Sequence, residues 1–416
     1  MAEPSTASPR RDDGSAVPHY RVLLLTLTTT SSLGMVASTI YVPSIPAIAA
    51  SLETTIGRVQ LTFAGYLLAF AASMLVLGPL SDRYGRRRTI ICGLALSTIG
   101  SVACAVSPTI DFLIGARVVQ GIGACAGLVV GRAVTREVWG RDAAARVIAG
   151  RAVAATLMQA FAPVLGAYLQ KWFGWRCNFA VTAALACMAM VLVTRYVPTG
   201  RPATASPART GGILASYRTL LGTRRFISYA FTAAGSHAGF HIFAAGAPAV
   251  LIVGFGIRPE DYGFYASLPP IGFLVGSFLS NRLTQRLGID GLIAIGCTVV
   301  IPAASLMITL ALLGVASPYA VIGPMVLICC GSGLITPNAT AGCLGVNAGI
   351  VGTASGFASF IQMTGAAGAT ALLSLGPSGS PLMLAGIIAL VGLVAVTAFG
   401  SLIQLDHRPA PAAAAA

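Results

Sequence analysis

The chain has 416 residues, of which 56% are hydrophobic and only 9% are charged. A soluble globular domain carries about 25% charged residues, so this chain has too few to clothe a water-facing surface. Its net charge of +14 comes almost wholly from arginine, with Lys171 the single lysine. These cations fall in short gaps between apolar runs, where they act as topology signals, and not on a folded basic face of the kind that nucleic acid requires. The 48 glycines and 23 prolines suit closely packed membrane helices, which predicts an all-α polytopic membrane protein.

In chain order, residues 1–21 are polar, rich in proline and serine, and lack the cleavage architecture of a signal peptide. They read as a disordered cytoplasmic tail. Apolar runs of about 20 residues, enough to cross the hydrocarbon, then occur near 22–48, 59–80, 88–107, 110–133, 148–170 and 175–196. A second set follows near 225–250, 260–282, 288–313, 318–339, 348–374 and 380–403. The expected organisation is a six-helix half over 22–197, a cytoplasmic linker over 198–224, a second half over 225–403 and a tail over 404–416. With the amino terminus inside, twenty cations fall on the cytoplasmic side and four, Arg58, Lys171, Arg176 and Arg258, on the other. That bias places both termini in the cytoplasm, and puts Trp172 and Trp175 at the outer interface. The nine cysteines are odd in number and sit mainly inside apolar runs, which argues against a disulfide framework.

The two halves echo each other. "GPLSDRYGRR" after the second span has a weaker counterpart after the eighth, "GSFLSNRLTQRLG". Paired six-helix halves imply a transporter that rocks around a midplane site. The first of these stretches places Gly78, Asp82, Arg83, Gly85 and Arg86 at a helix end. A basic loop alone would explain the arginines, but not the carboxylate or the two glycines. This spacing resembles the signature G-x-L-x-D-R-x-G-R-[RK] of the major facilitator superfamily. "RVVQGIGACAG" (Arg117, Gln120), "RAVTRE" (Arg132 to Glu137), "APVLGAYL" (Pro163, Gly166), "FGWRCNF", "GAPAVL", "TPNATAG" and "GTASGF" are similar to stretches of its drug:proton antiporter branch, especially the Bcr/CflA group.

The resemblance implies twelve helices in two pseudo-symmetric halves and a central site anchored by Arg117. It also implies a latch in which Asp82 meets the start of helix 11 in the outward-facing state, with Arg83 and Arg86 pairing to acidic groups or carbonyls. Pro163 and Gly166 correspond to the antiporter kink, which bends helix 5 and admits a close neighbour; ordinary packing explains them as well. Ala162 and Ala167 replace glycines of that motif.

Arg117 lies too deep to be only a topology signal, and an intramembrane charge points by default to function. Arg151, nearer a cytoplasmic end, is expected to snorkel outward. Bcr/CflA-like proteins usually carry a carboxylate in helix 1, two places before a tyrosine. Here the tyrosine is Tyr41 and the position holds Thr39. No other carboxylate lies near a midplane, which turns attention to His237 and His241, four residues apart on one helical face. They read as proton carriers or substrate contacts, or else as structural hydrogen-bonding groups. A metal needs more ligands than the spans supply, and His19 and His407 lie in the tails.

The preferred reading is a non-enzymatic, monomeric exporter of the cytoplasmic (inner) membrane, driven by protons, whose cargo is a small, largely apolar drug such as a chloramphenicol- or bicyclomycin-like compound. Its partners are that small molecule, protons and the lipid bilayer. No cofactor, metal or nucleic acid is expected. Alternatives are export of an endogenous metabolite or self-made toxin, a proton symporter on the same fold, and a membrane-embedded metalloenzyme using the two histidines.

Overall fold

The computed structural model describes residues 20–198, 212–346 and 350–406. The expected tails lie outside them except for residues 20, 21 and 404–406, and so does about half of the linker, residues 199–211. The described elements are α1 (Tyr20–Thr39), α2 (Ile45–Ser51), α3 (Ile56–Tyr84), α4 (Arg86–Ala105), α5 (Ile110–Phe173) and α6 (Arg176–Tyr196). They continue as α7 (Gly212–Gly222), α8 (Arg224–Pro248), α9 (Pro259–Leu312), α10 (Pro318–Gly345), α11 (Val351–Ser374) and α12 (Pro381–Asp406). No strand occurs among the described residues. In hydrocarbon a helix satisfies its own backbone, which an open strand cannot do.

Eleven described helical stretches are long and apolar enough to cross a membrane. One of them, α9, runs for 54 residues, more than twice the ~20 that a crossing needs. It is broken at Gly288 (φ 68°, ψ 177°) into arms 259–287 and 289–312. The 64-residue α5 breaks in the same way at Gly140 (φ 67°, ψ 177°), giving arms Ile110–Gly140 and Arg146–Phe173. Only glycine enters such positive-φ conformations without a Cβ penalty. Twelve crossings result, six in each half.

The first crossing departs from one continuous span. Helix α1 stops at Thr39, a 3₁₀ turn covers Val42–Ser44, and α2 completes the run. Pro43 and Pro46 supply no backbone donor, so the ladder cannot run through them. The hydroxyl-rich sequence of α1 is self-satisfied: Thr26, Thr28, Thr30, Ser31, Ser32 and Thr39 each donate to the carbonyl four residues back. A second departure is α7, a helix in the stretch read as linker, whose Tyr217 ring lies 5.0 Å from Phe357 at the start of α11.

Small residues set the helix spacing. A Cβ on Gly123 would lie 2.3 Å from the Ser97 nitrogen, and one on Gly127 2.2 Å from the Thr30 oxygen, so α5 touches α4 and α1 backbone to backbone. A Cβ on Gly166 would lie 1.6 Å from the Ile40 oxygen, which presses the second arm of α5 onto the end of α1.

The closest backbone approaches between the halves lie at one end. At the end remote from the arginine-rich loops, a Cβ on Gly57 of α3 would lie 2.6 Å from the Ser374 oxygen of α11, and one on Gly263 of α9 2.8 Å from Val164 Cα of α5. There the Lys171 ammonium also meets the Glu260 carboxylate at 2.9 Å, and the buried Gln60 amide donates to the Ala245 oxygen at 3.2 Å. Ala249 N–H turns to Gly246 O at the end of α8, so Ala245 O is relieved of its usual helical donor and is left for Gln60. At the basic end, by contrast, Gly78, Gly352 and Gly356 would meet no atom within 4 Å of a Cβ.

Gly166→Ala is therefore expected to lower stability by about 1–3 kcal/mol through overpacking, measured as reduced monodisperse yield and a lower thermal midpoint. The control Gly150→Ala, where a Cβ meets nothing within 4 Å, should be neutral or slightly stabilising.

Candidate functional site between the two halves

A small cavity of about 10 Å³ lies between the halves, lined by Gly34, Met35 and Ser38 of α1, Tyr66, Leu67 and Phe70 of α3, His241 of α8 and Met363 of α11. That is room for about one water, while drug-sized pockets begin near 300 Å³, so a molecule of that size enters only if the surrounding helices part. The Tyr66 hydroxyl donates to Gly34 O at 2.6 Å, which holds this ring across the α1–α3 joint. Thr39 is 1% exposed, and its hydroxyl is spent on Met35 O at 3.1 Å. Its neighbour Ser38, and not Thr39 itself, lines the cavity.

His241 is also 1% exposed and stacks among rings, 6.1 Å from Phe63 and 5.5 Å from Phe240. Its Nδ1 lies 3.3 Å from His237 O. A carbonyl can only accept, so this contact sets Nδ1–H as donor and leaves Nε2 as the bare acceptor in the neutral ring. The His237 and His241 rings are 4.7 Å apart, and neither Nε2 has a hydrogen-bond partner. The described residues contain no cluster of three or more metal-ligating side chains. Phe243 of α8 is packed away at 1% exposure. The wall comes from Tyr66 and Phe70, four apart on one face of α3. Only that spacing hinted at them.

Arg117, on the first arm of α5, is fully buried and reaches the carboxyl-terminal end of α1. Its Nη1 donates to Ala37 O at 3.1 Å and to Gln120 Oε1. Ala37 O is among the last four carbonyls of α1, which lack helical partners and carry the negative end of the helix dipole. Gln120 in turn donates to Ser101 Oγ at 2.7 Å, tying the pair to α4. The guanidinium carbon sits 4.4 Å from the Tyr41 ring, 4.2 Å from Tyr66 and 5.8 Å from Phe179. These rings give a cation the π-face attraction that a wet surface would weaken. Arg117 and His241 thus approach the cavity from opposite halves, with the Tyr66 ring against both the cavity and the guanidinium.

Arg151 does not snorkel. It is 5% exposed and donates to Gly131 O at 3.0 Å, to Leu27 O at 2.8 Å, and to the hydroxyls of Thr135 and Ser31. Gly131 leaves room for the guanidinium to turn inward and join α1 to both arms of α5. Trp175 departs likewise from its expected interfacial place. It is buried edge-on against Phe179, while Trp172 is 65% exposed.

At the basic end, Arg86 bonds Asp82, Ser81 (2.5 Å) and Glu137 (2.8 Å). Arg83 lies over the Tyr84 ring, and Gly85 makes the turn at φ 94°. The Asp82 side chain is 58% exposed and pairs within its own half. Gly166 approaches α1 as described, and the Pro163 oxygen lies against Gly263 of the other half.

Comparisons with known proteins agree with this architecture. The Major Facilitator Superfamily profile matches residues 27–370. Multidrug resistance protein D of Escherichia coli is 26% identical over 390 residues, 94% of this chain and 98% of that protein. The chloramphenicol resistance protein of Pseudomonas aeruginosa is 26% identical over 299 residues (72% and 70%). A bicyclomycin resistance protein homolog of Haemophilus influenzae is 24% identical over 279 residues (67% and 70%). Among solved structures, a D-xylose–proton symporter superposes with a TM-score of 0.74 at 13% identity, covering 91% of this chain and 97% of that one. The xylose transporter XylE of Escherichia coli, in a partially occluded inward-open conformation, gives 0.71 at 13% identity (94% and 98%). A multi-pass membrane protein of two six-helix halves around a central cavity, this chain belongs to the Major Facilitator Superfamily.

Proposed function

We propose that the protein exports small, largely apolar molecules of the antibiotic type across the cytoplasmic membrane, exchanging them for protons by alternating access. The carrying observation is the cavity between the halves, walled by aromatic and thioether side chains and bearing one imidazole whose Nε2 lacks a partner. The arginine bias places the basic end in the cytoplasm. The described conformation, joined at the far end and parted at the basic end, is then the state that receives cargo from inside.

In this reading a proton enters from outside and is held at the His237–His241 pair. Histidine ordinarily titrates within the physiological range, and two imidazolium rings 4.7 Å apart would repel, so the pair suits one proton per cycle. The membrane potential adds about 2.3 kcal/mol per inward charge per 100 mV. When the basic end closes, Asp82 and Arg86 come to the start of α11 and hold that side shut. The names of the relatives, among them a chloramphenicol resistance protein and a bicyclomycin resistance protein homolog, support a drug-like cargo.

Cells carrying the protein should accumulate less chloramphenicol than cells without it, and an uncoupler should erase the difference; export that persists with the uncoupler refutes proton exchange. His241→Ala should flatten the dependence of export on external pH at unchanged folded yield, with His237→Ala giving a smaller loss. A profile matching the unmodified protein in both variants makes the rings structural. Asp82→Asn should slow export without loss of folded protein, and distances between probes on α3 and α11 at the basic end should then show less of the closed form.

A further inference from the structure

No Asp or Glu is buried among the described residues, yet two guanidiniums are, Arg117 and Arg151. Arg151 uses both terminal nitrogens on four oxygens. Arg117 uses only Nη1, and its Nε and Nη2 have no partner. Those two nitrogens lie side by side along one edge of the planar group. That edge is the fork that accepts both oxygens of a carboxylate. A buried donor left without a partner is costly, and more so when it is charged. The dipole at the end of α1, the ring faces of Tyr41 and Tyr66 and the nearby Tyr41 hydroxyl answer part of the charge, but neither Nε nor Nη2 has a well-formed hydrogen bond.

The guanidinium lies one ring behind the cavity wall. Arg117 holds Ala37 O while the adjacent Ser38 lines the cavity, and the Tyr66 ring that stacks on the guanidinium is itself part of the lining. A cationic molecule entering here would meet an uncompensated positive charge and no carboxylate, in surroundings that strengthen the repulsion. A neutral molecule would leave the fork empty. A molecule with an apolar body and a planar oxyanion would set its body against Met35, Leu67, Phe70 and Met363 and complete the fork after a turn of Tyr66.

We propose that the preferred cargo is an amphiphilic acid whose carboxylate is taken on the Nε–Nη2 edge of Arg117. This rests on the export reading and narrows it to one substrate class. The test uses the purified full chain in lipid nanodiscs and a matched series of probes, phenylbutyrate, phenylbutyramide and phenylbutylamine, which share a body and differ in charge. Calorimetric titration should show phenylbutyrate binding roughly tenfold or more tightly than the amide, as expected for a charge-assisted pair, with the amine weakest. Arg117→Lys keeps the charge and loses the fork, so it should erase most of the preference. Equal binding of amide and acid, stronger binding of the amine, or no binding of phenylbutyrate to the unmodified protein overturns the proposal, and none of these needs the variant to fold. The export reading fails separately: phenylbutyrate that binds as expected but is not expelled by cells, with chloramphenicol not expelled either, refutes transport and leaves the site standing.

Discussion

Hydrocarbon offers neither hydrogen-bond partners nor counter-ions, so every polar group within the spans must be answered by another part of the chain. That constraint organises the molecule. The hydroxyls of α1 turn back on their own carbonyls, and so a run of threonine and serine can cross the membrane at little cost. Glycines at positions 123, 127 and 166 let backbones touch where no side chain could fit. Arg151 is tolerated because four oxygens surround it, and Arg117 because a helix end and three rings do. The constraint is incompletely met at scattered buried atoms, among them Arg151 Nε and the Tyr262 hydroxyl; Arg117 Nε and Nη2 and the two histidine Nε2 atoms also lack partners, and of these residues His241 lines the cavity between the halves.

The same economy shapes the seams between the halves. At the far end they touch through glycine against backbone, one buried amide, one partly exposed ion pair and an apolar core shared by Ile48, Val59 and Phe63 of one half with Val250, Leu251 and Tyr262 of the other. The polar contacts there are individually weak; an exposed pair contributes about 0–1 kcal/mol. The shared apolar core therefore carries most of the adhesion. At the basic end the charged cluster of Arg86, Asp82 and Glu137 is complete within its own half, so it holds together without a partner from the other half.

Much of this was legible in the sequence, because span length, arginine placement and the Asp82–Arg86 spacing are local properties. The depth of Arg117 and the pairing of His237 with His241 could be read in the same way, from position within a span. What could not be read depends on neighbours brought from elsewhere. Arg151 looks like a residue near a helix end until Gly131 and Ser31 are seen to make room and partners for it. Tyr66 and Phe70 look like any apolar pair, since an aromatic residue on a span faces lipid, protein or cavity with equal ease. Trp175 was expected at the interface by residue type and is instead drawn inward by Phe179. The break of the first span at Pro43 and the helix Gly212–Gly222 were missed for a simpler reason: each was absorbed into a longer apolar or polar run.

The hydrogen bond from Gln60 to Ala245 O carries a consequence for how the far end opens. Parting the halves there leaves a buried amide and a carbonyl with no protein partner, a penalty of about 1–3 kcal/mol for each group until water reaches it. Solvent must therefore wedge in as the helices separate. Separation along this seam is thus tied to wetting: the two helices part freely only once water has replaced the bond that each loses.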